Sequence, residues 1–264
     1  MDRILTLLEQ PAEPAAPISA LAGQGHLQVE NLTFRYPNSD RPALENLSFE
    51  LRPGGTLGIV GEVGSGKSTL TRLLLRLFEP PVGSIRLDGE DITSLNLRQL
   101  RQQLAWVEQE AFLFSRTLRE NLQLAGDRDF QEAARQAQLH EEVMTFPDGY
   151  ETLLGERGVL LSGGQRQRLS LARALLKSAP ILVLDDTLSA VDAHTESRIL
   201  ASLRERRGQQ TLIVISHRVS SVRDLDEILV LENGRVVQRG THEQLLADSG
   251  LYRKLQELQT GEAP

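Results

Sequence analysis

Apolar positions along this chain fall into two kinds of pattern. Leu57–Val60, LAWVEQ (Leu104–Gln109), ILVLDD (Ile181–Asp186) and TLIVIS (Thr211–Ser216) are short runs that are apolar except at their ends. Their length and their polar or turn-forming flanks predict buried strands. From His26 the pattern alternates instead. LQVENLTFRY and NLSFEL (Asn46–Leu51) predict two further strands, with YPNSDRP as the turn between them. SIRLDGEDI adds a strand and turn, and EILVLENGRVVQRG a hairpin turning at Asn233-Gly234. Trp106, the single tryptophan, is expected in the core.

Helical spacing fills the gaps. A leucine-rich helix opens at Lys67 and is stopped by Pro80-Pro81-Val82-Gly83, and LNLRQLRQQ predicts a short second helix. Residues 110 to about 160 (TLRENLQLA, FQEAARQAQ, EEVMTF) read as an inserted helical lobe. Ser162-Gly163-Gly164 then opens a long amphipathic helix over Gln165–Leu176. AHTESRILASLRERR is another helix, THEQLLADS starts with a capping box at Thr241, and LYRKLQELQ is a final amphipathic segment packed on the domain. Residues 1–24 differ: Asp2–Gln10 is weakly amphipathic and Pro11–Pro17 is an extended linker. Composition favours a disordered tail there, whereas leucines 5, 7 and 8 suggest the end of a helix.

With 264 residues, 40% of them hydrophobic, the chain can bury a full core in one large domain or two lobes. There is no cysteine, so disulfides and thiolate metal sites are excluded, which fits a reducing compartment. A net charge of −7 and a pI near 5.4 argue against a broad nucleic-acid-binding face. No apolar run approaches a membrane span and no secretory signal is visible, so the segment as it stands is expected to be soluble.

The chemistry is densest between Thr56 and Phe78. A buried strand runs into GEVGSGKS, the pattern G-x-x-x-x-G-K-[ST], and then into a helix. Gly61, Gly64 and Gly66 permit close approach and left-handed angles. The N–H groups of the turn (Gly61, Glu62, Val63, Gly64, Ser65, Gly66) and of the helix start (Lys67, Ser68, Thr69) converge where the helix dipole favours an anion. Lys67 can reach the β- and γ-phosphates of a nucleoside triphosphate, and the Ser68 hydroxyl can ligate Mg²⁺. With strand, turn and helix all in place, an ordinary flexible glycine turn is the weaker reading.

Other candidates are less specific alone. Asp185 and Asp186 end a buried strand at the edge where ligands bind in open α/β sheets. Adjacent acids there gain nothing in packing, which points to metal and water chemistry. Gln109 ends another strand, where it can touch a metal or a water, or be solvated surface. Tyr36 can stack on a purine or simply pack. His217 sits at the end of TLIVIS, while His26, His140, His194 and His242 read as surface. Ser162-Gly163-Gly164 is either a second anion site or an ordinary N-cap.

Taken in order, these pieces resemble one family, the nucleotide-binding domain of ATP-binding cassette transporters, over about residues 26–259. The resemblance rests on Tyr36, GEVGSGKST, Gln109, LSGGQ (Leu161–Gln165), ILVLDD, SAVD (Ser189–Asp192) and His217. It implies an α/β fold with a P-loop NTPase (RecA-like) core, an antiparallel β subdomain, and an inserted helical subdomain at about 110–178. Residues 1–24 would be the end of a membrane helix plus linker, and 25–264 the domain itself. ATP and Mg²⁺ are implied. Lys67, Gln109, Asp186 and His217 would be catalytic, and Ser68, Gln109 and Asp185 would hold the metal. Tyr36, residues 61–69 and Ser162, Gly163, Gly164 and Gln165 would bind nucleotide, the last four for a partner.

The expected partners are a second nucleotide-binding domain, paired head to tail, and membrane domains reached through the 152–158 loop and the Gln109 region. No nucleic acid is expected. TLLGERG (Thr152–Gly158) resembles an exporter-specific loop, which places the domain at the cytoplasmic face of a membrane. The resemblance assigns cargo choice to membrane helices, so drug, lipid and peptide all fit. Active members carry Glu where this chain has Asp186, so its own site is expected to be slow. That is similar to one half of heterodimeric bacterial multidrug exporters, whose partner supplies the Glu. A non-hydrolysing regulatory clamp, a homodimeric exporter that tolerates Asp, and a soluble cassette ATPase of DNA repair or translation are the alternatives. The last lacks its usual coiled coils or tandem cassettes here.

Overall fold

A strand buried at every position needs a neighbour on each side and a layer on each face, and Thr56–Gly61 (β3) has both. In the computed structural model, which describes residues 23–126, 129–155, 161–205 and 208–261, β3 lies inside a six-stranded sheet. The order is β10 (Arg235–Gly240), β9 (Glu227–Glu232), β3, β8 (Thr211–Ser216), β7 (Ile181–Asp185) and β6 (Leu104–Val107). Pairing is parallel from β9 to β6, and only the hairpin strand β10 runs antiparallel. A second, antiparallel sheet is ordered β2 (Leu44–Leu51), β1 (Leu27–Phe34), β4 (Ile85–Leu87), β5 (Glu90–Asp91).

Side chains alternate across a strand, so each buried run feeds two cores. Ile181, Val183, Ile213, Ile215, Leu229 and Leu231 face the antiparallel sheet and the helix that follows β3. Leu182, Leu184, Leu212, Val214, Ile228 and Val230 face the helical layer. This two-sided burial explains why the runs read as nearly continuous rather than alternating.

Among the described residues the helices are α1 (Lys67–Leu74), α2 (Leu97–Gln103), α3 (Leu118–Gln123), α4 (Phe130–Gln136), α5 (His140–Val143), α6 (Gly163–Leu176), α7 (Ala193–Glu205), α8 (His242–Ala247) and α9 (Leu251–Thr260). Helix α1 ends at Leu74, well before Pro80. Arg76 takes a left-handed φ of 46° there, and its guanidinium donates to the carbonyls of Ile92 (2.9 Å) and Leu95 (2.7 Å). The stop is therefore a tertiary grip, ahead of the prolines. Trp106 corrects a second expectation: it is half-buried, because β6 is an edge strand paired only with β7. Its ring borders a cavity of about 570 Å³ with Leu75, Leu77, Phe112, Leu124 and Arg173. No helix among the described residues is long and apolar enough to cross a membrane. The expected linker lies almost wholly in residues 1–22, outside the described residues, as does the 156–158 part of the 152–158 loop.

Helices α3 to α6 form the inserted lobe, joined by polar side chains as well as apolar ones. Arg173 on α6 donates to the Asn121 carbonyl (2.9 Å) and to Asn121 Oδ1 (3.1 Å) on α3. Buried Arg168 pairs with Glu142 at 2.7 Å. The Arg168 hydrogen bond holds the Glu142 carboxyl below its ordinary pKa of 4.5. A depressed carboxylate stabilises the fold above that ordinary value and stops doing so as pH falls through the lower folded value. Glu142→Gln should thus cost about 1 kcal/mol at pH 7, kept small by the exposure of the carboxylate, and less at pH 3. Urea unfolding at the two pH values measures this. An equal loss at both would show that packing, and not charge, is what the substitution removes.

Candidate nucleotide-binding and hydrolysis site

The turn between β3 and α1 is shaped by what lies behind it. A Cβ on Gly61 would sit 2.2 Å from the Leu231 carbonyl oxygen. Gly66 has φ +106°, and a Cβ there would sit 2.7 Å from the Ala43 carbonyl oxygen. Only glycine fits either position. Lys67 follows, buried, with its ammonium donating to the carbonyls of Gly61 (2.7 Å) and Glu62 (2.8 Å). Burial pushes its pKa down, while the charges of Asp186 and Asp185 pull it back up.

A cleft of about 650 Å³ opens over this turn. Of the residues singled out from sequence, Tyr36, Val63, Gly64, Gly66, Lys67, Ser68, Thr69, Gln109, Asp186 and His217 all line it. Gly61, Ser65 and Asp185 are buried behind that surface. Tyr36 lies two residues past the end of β1 and packs edge-on against Phe34 and Phe78, with centroids 5.1 and 5.0 Å away. Its hydroxyl donates to Thr69 Oγ1 at 3.1 Å and accepts from Arg72 at 3.3 Å. The packing reading of this ring is realised, and the ring also lines the cleft.

The two acids at the end of β7 have different environments. Asp185 is buried, which pushes its carboxyl up to about 6, with the neighbouring Asp186 charge adding to the shift. Asp186 has a left-handed φ of 46°, which Asp tolerates better than most residues. Its N–H donates to the Ile215 carbonyl at 2.8 Å. One carboxylate oxygen, Oδ1, accepts the His217 backbone N–H (3.0 Å) and pairs with His217 Nδ1 (2.8 Å). The oxygen donors at hand are a hydroxyl on Ser68, a side-chain amide on Gln109 and a carboxylate on Asp185. This hard, sparse set suits Mg²⁺ sharing its shell with phosphate and water. Among the described residues, no cluster of three or more His, Cys, Asp or Glu competes for a metal.

Ser162, Gly163, Gly164 and Gln165 lie apart from this cleft, at the start of α6. Ser162 Oγ accepts from the Gln165 N–H (3.2 Å) and Gln165 Oε1 from the Ser162 N–H (2.9 Å), a capping box. Gln165 Nε2 also donates to Glu142 at 2.9 Å. The helix starts at Gly163, two residues earlier than its apolar pattern suggested. The histidine reading needs correction. His26 pairs with Glu50, His140 with the Tyr150 hydroxyl and His242 with the Tyr252 hydroxyl, each at 2.8 Å. Of these four histidines only His194 is plainly exposed. Partners this far off in sequence or packed across helices leave no local signal.

A family model described as "ABC transporter" matches residues 44–189. The chain belongs to the ABC transporter family. It is 42% identical to an ATP-dependent lipid A-core flippase of Chromobacterium violaceum over 99% of this chain and 46% of that protein. It is 46% identical to the multidrug resistance-like ATP-binding protein MdlA of Escherichia coli over 91% of this chain and 42% of that one. The solved structure of a bacterial Atm1-family ABC exporter with ATP bound superposes with a TM-score of 0.91 at 37% identity, covering 98% of this chain and 47% of that one. The chain thus spans about half the length of the relatives it matches.

Several residues of this ABC transporter domain that matter to the cleft were not evident from sequence. The Asn233-Gly234 turn lines it, and the Gly234 N–H donates to the Ser65 carbonyl at 3.0 Å. Buried Gln167 on α6 joins three motifs: its amide meets the Gln109 carbonyl (3.4 Å), Ser189 Oγ (3.3 Å) and the Ala190 N–H (3.0 Å). A lone glutamine in an amphipathic helix reads as surface; only its inward helical phase beside Leu171 hinted otherwise.

Proposed function

We propose that this chain is the ATP-binding and ATP-hydrolysing domain of an exporter, and that its own site is slow. The triphosphate would lie over the 61–69 turn with Lys67 against its terminal phosphates and the base on Tyr36. Mg²⁺, held by Ser68, Gln109 and Asp185, would neutralise charge on the β- and γ-oxygens. His217 would face the γ-phosphate, and Asp186 would hold both His217 and the attacking water. A second nucleotide-binding domain would close the cleft with its own signature. This chain would lend Ser162–Gln165 in return, through the α6 N-terminus and its N–H groups.

Membrane domains would meet the half-apolar cavity beside Trp106 and Glu108, close to Gln109, and the surface around Leu153, which is 63% exposed. ATP-driven closure would then be passed to them, switching access of a transported molecule. The relatives' names, a flippase and a multidrug-type protein, support export, and the domain would then lie on the cytoplasmic side of a membrane. Residues 1–24 would lead from the membrane domain.

The observation that carries the slow-site reading is Asp186. Its carboxylate is one C–C bond, about 1.5 Å, shorter in reach than that of Glu, and one of its oxygens is committed to His217. Such a site binds ATP without positioning water well, and a partner bearing Glu would supply the competent one. The test is the purified chain with Mg-ATP, following binding, dimerisation and turnover. Tight binding with turnover below about 1 s⁻¹ is expected. Brisk turnover by a homodimer, lost on Asp186→Asn, would replace this reading with a self-paired motor.

A further inference from the structure

We propose that Gln259, near the end of the last helix, is a positioning residue for ATP cleavage: its amide clamps the turn that carries His217. The inference rests on the hydrolytic reading above. Gln259 Nε2 donates to the His217 carbonyl at 2.7 Å, and the Val219 N–H donates to Gln259 Oε1 at 2.8 Å. A carbonyl can only accept and an N–H only donate, so the amide has one orientation that satisfies both. The two bonds bracket Arg218 and leave the backbone between them little freedom.

From the opposite side, Asp186 takes the N–H and Nδ1 of the same histidine. His217 is therefore held between a cleft carboxylate and the chain's last helix. A third grip comes from buried Glu196 on α7, which pairs with Arg218 at 2.9 Å and accepts from Ser221. Helix α9 does not depend on Gln259 for its seat. Tyr252 is fully buried, its N–H donates to Gln238 Oε1 (2.9 Å), and its hydroxyl meets His242 (2.8 Å). Leu255 is buried on the same face. A fixed helix thus extends one side chain to the only active-site histidine, which is what a positioning group requires.

Gln259→Met keeps the length of the side chain and loses both bonds. In the purified chain, kcat should fall about tenfold while KM for ATP stays within about twofold, since the triphosphate cradle is untouched. Leu258→Ala, at a 68% exposed position one residue away, should leave both constants at wild-type values. Amide hydrogen exchange is the readout independent of activity: Val219 should lose at least about tenfold protection in Gln259→Met while β8 keeps its own. Wild-type kcat in Gln259→Met, an equal loss in Leu258→Ala, or an unchanged Val219 rate would each overturn the clamp. The exchange arm needs no ATP. A wild-type chain that fails to cleave ATP would count against the hydrolytic reading, and Val219 would still decide the clamp.

Discussion

Asp186→Glu is expected to raise ATP turnover by the isolated chain about 10²-fold with little change in ATP affinity. The added methylene moves the carboxylate about 1.5 Å further into the cleft, and a misplacement of about 1 Å is worth on the order of 10² in rate. Two effects oppose the gain. Glu tolerates the left-handed φ of 46° less well than Asp, and the short bonds from His217 to Oδ1 must re-form at a new reach. The first costs about 1 kcal/mol or less of fold stability and acts on the folded population, leaving the barrier unchanged. The second matters more, because the gain depends on His217 holding the longer carboxylate in place, so the same substitution combined with His217→Ala should lose most of it. Steady-state ATPase assays of the single and double variants decide this. A rate equal to or below that of the parent would mean that reach does not limit this site.

Lys67→Met should lower kcat/KM for ATP by about 10³-fold, the largest loss expected of any single change. The ammonium is buried and already desolvated, so its charge acts on a phosphate with little screening. Met keeps the apolar stem of the side chain, so the fold should hold: the ammonium's present acceptors, the Gly61 and Glu62 carbonyls, belong to a turn that faces solvent at Glu62. Titration calorimetry with ATP and Mg²⁺ separates the parts. Affinity should fall along with rate, unlike in Asp186→Glu, where rate alone moves. Unchanged affinity would show that the lysine acts only as the phosphoryl group leaves.

Much of this was legible in the sequence, for identifiable reasons. Strands buried on both faces write themselves as apolar runs, so TLIVIS was placed to the residue and ILVLDD to within one residue of its end. Caps are local, so Ser162, Thr241 and the Asn233-Gly234 turn were readable as they stand. The phosphate turn was readable because strand, glycines and helix are contiguous. What stayed hidden is long-range. Trp106 was misjudged because nothing local marks β6 as an edge. The histidine partners, the Gln167 junction and the Gly234–Ser65 bond all depend on which distant segments meet. The end of α1 was set by an arginine reaching across to Leu95, which overrode the proline signal.

The sheet order has a consequence for how the protein is made. Strand β3 leaves the ribosome well ahead of both its neighbours, since β8 and β9 come from residues 211–216 and 227–232. At typical elongation rates of about 5–20 residues per second, its backbone edges stay without their final partners for roughly 10–30 s. Throughout that interval an apolar, β-prone segment is open to self-association between nascent chains. The hydrophobic strand that most defines the nucleotide pocket is thus also the one most in need of a chaperone's shelter during synthesis.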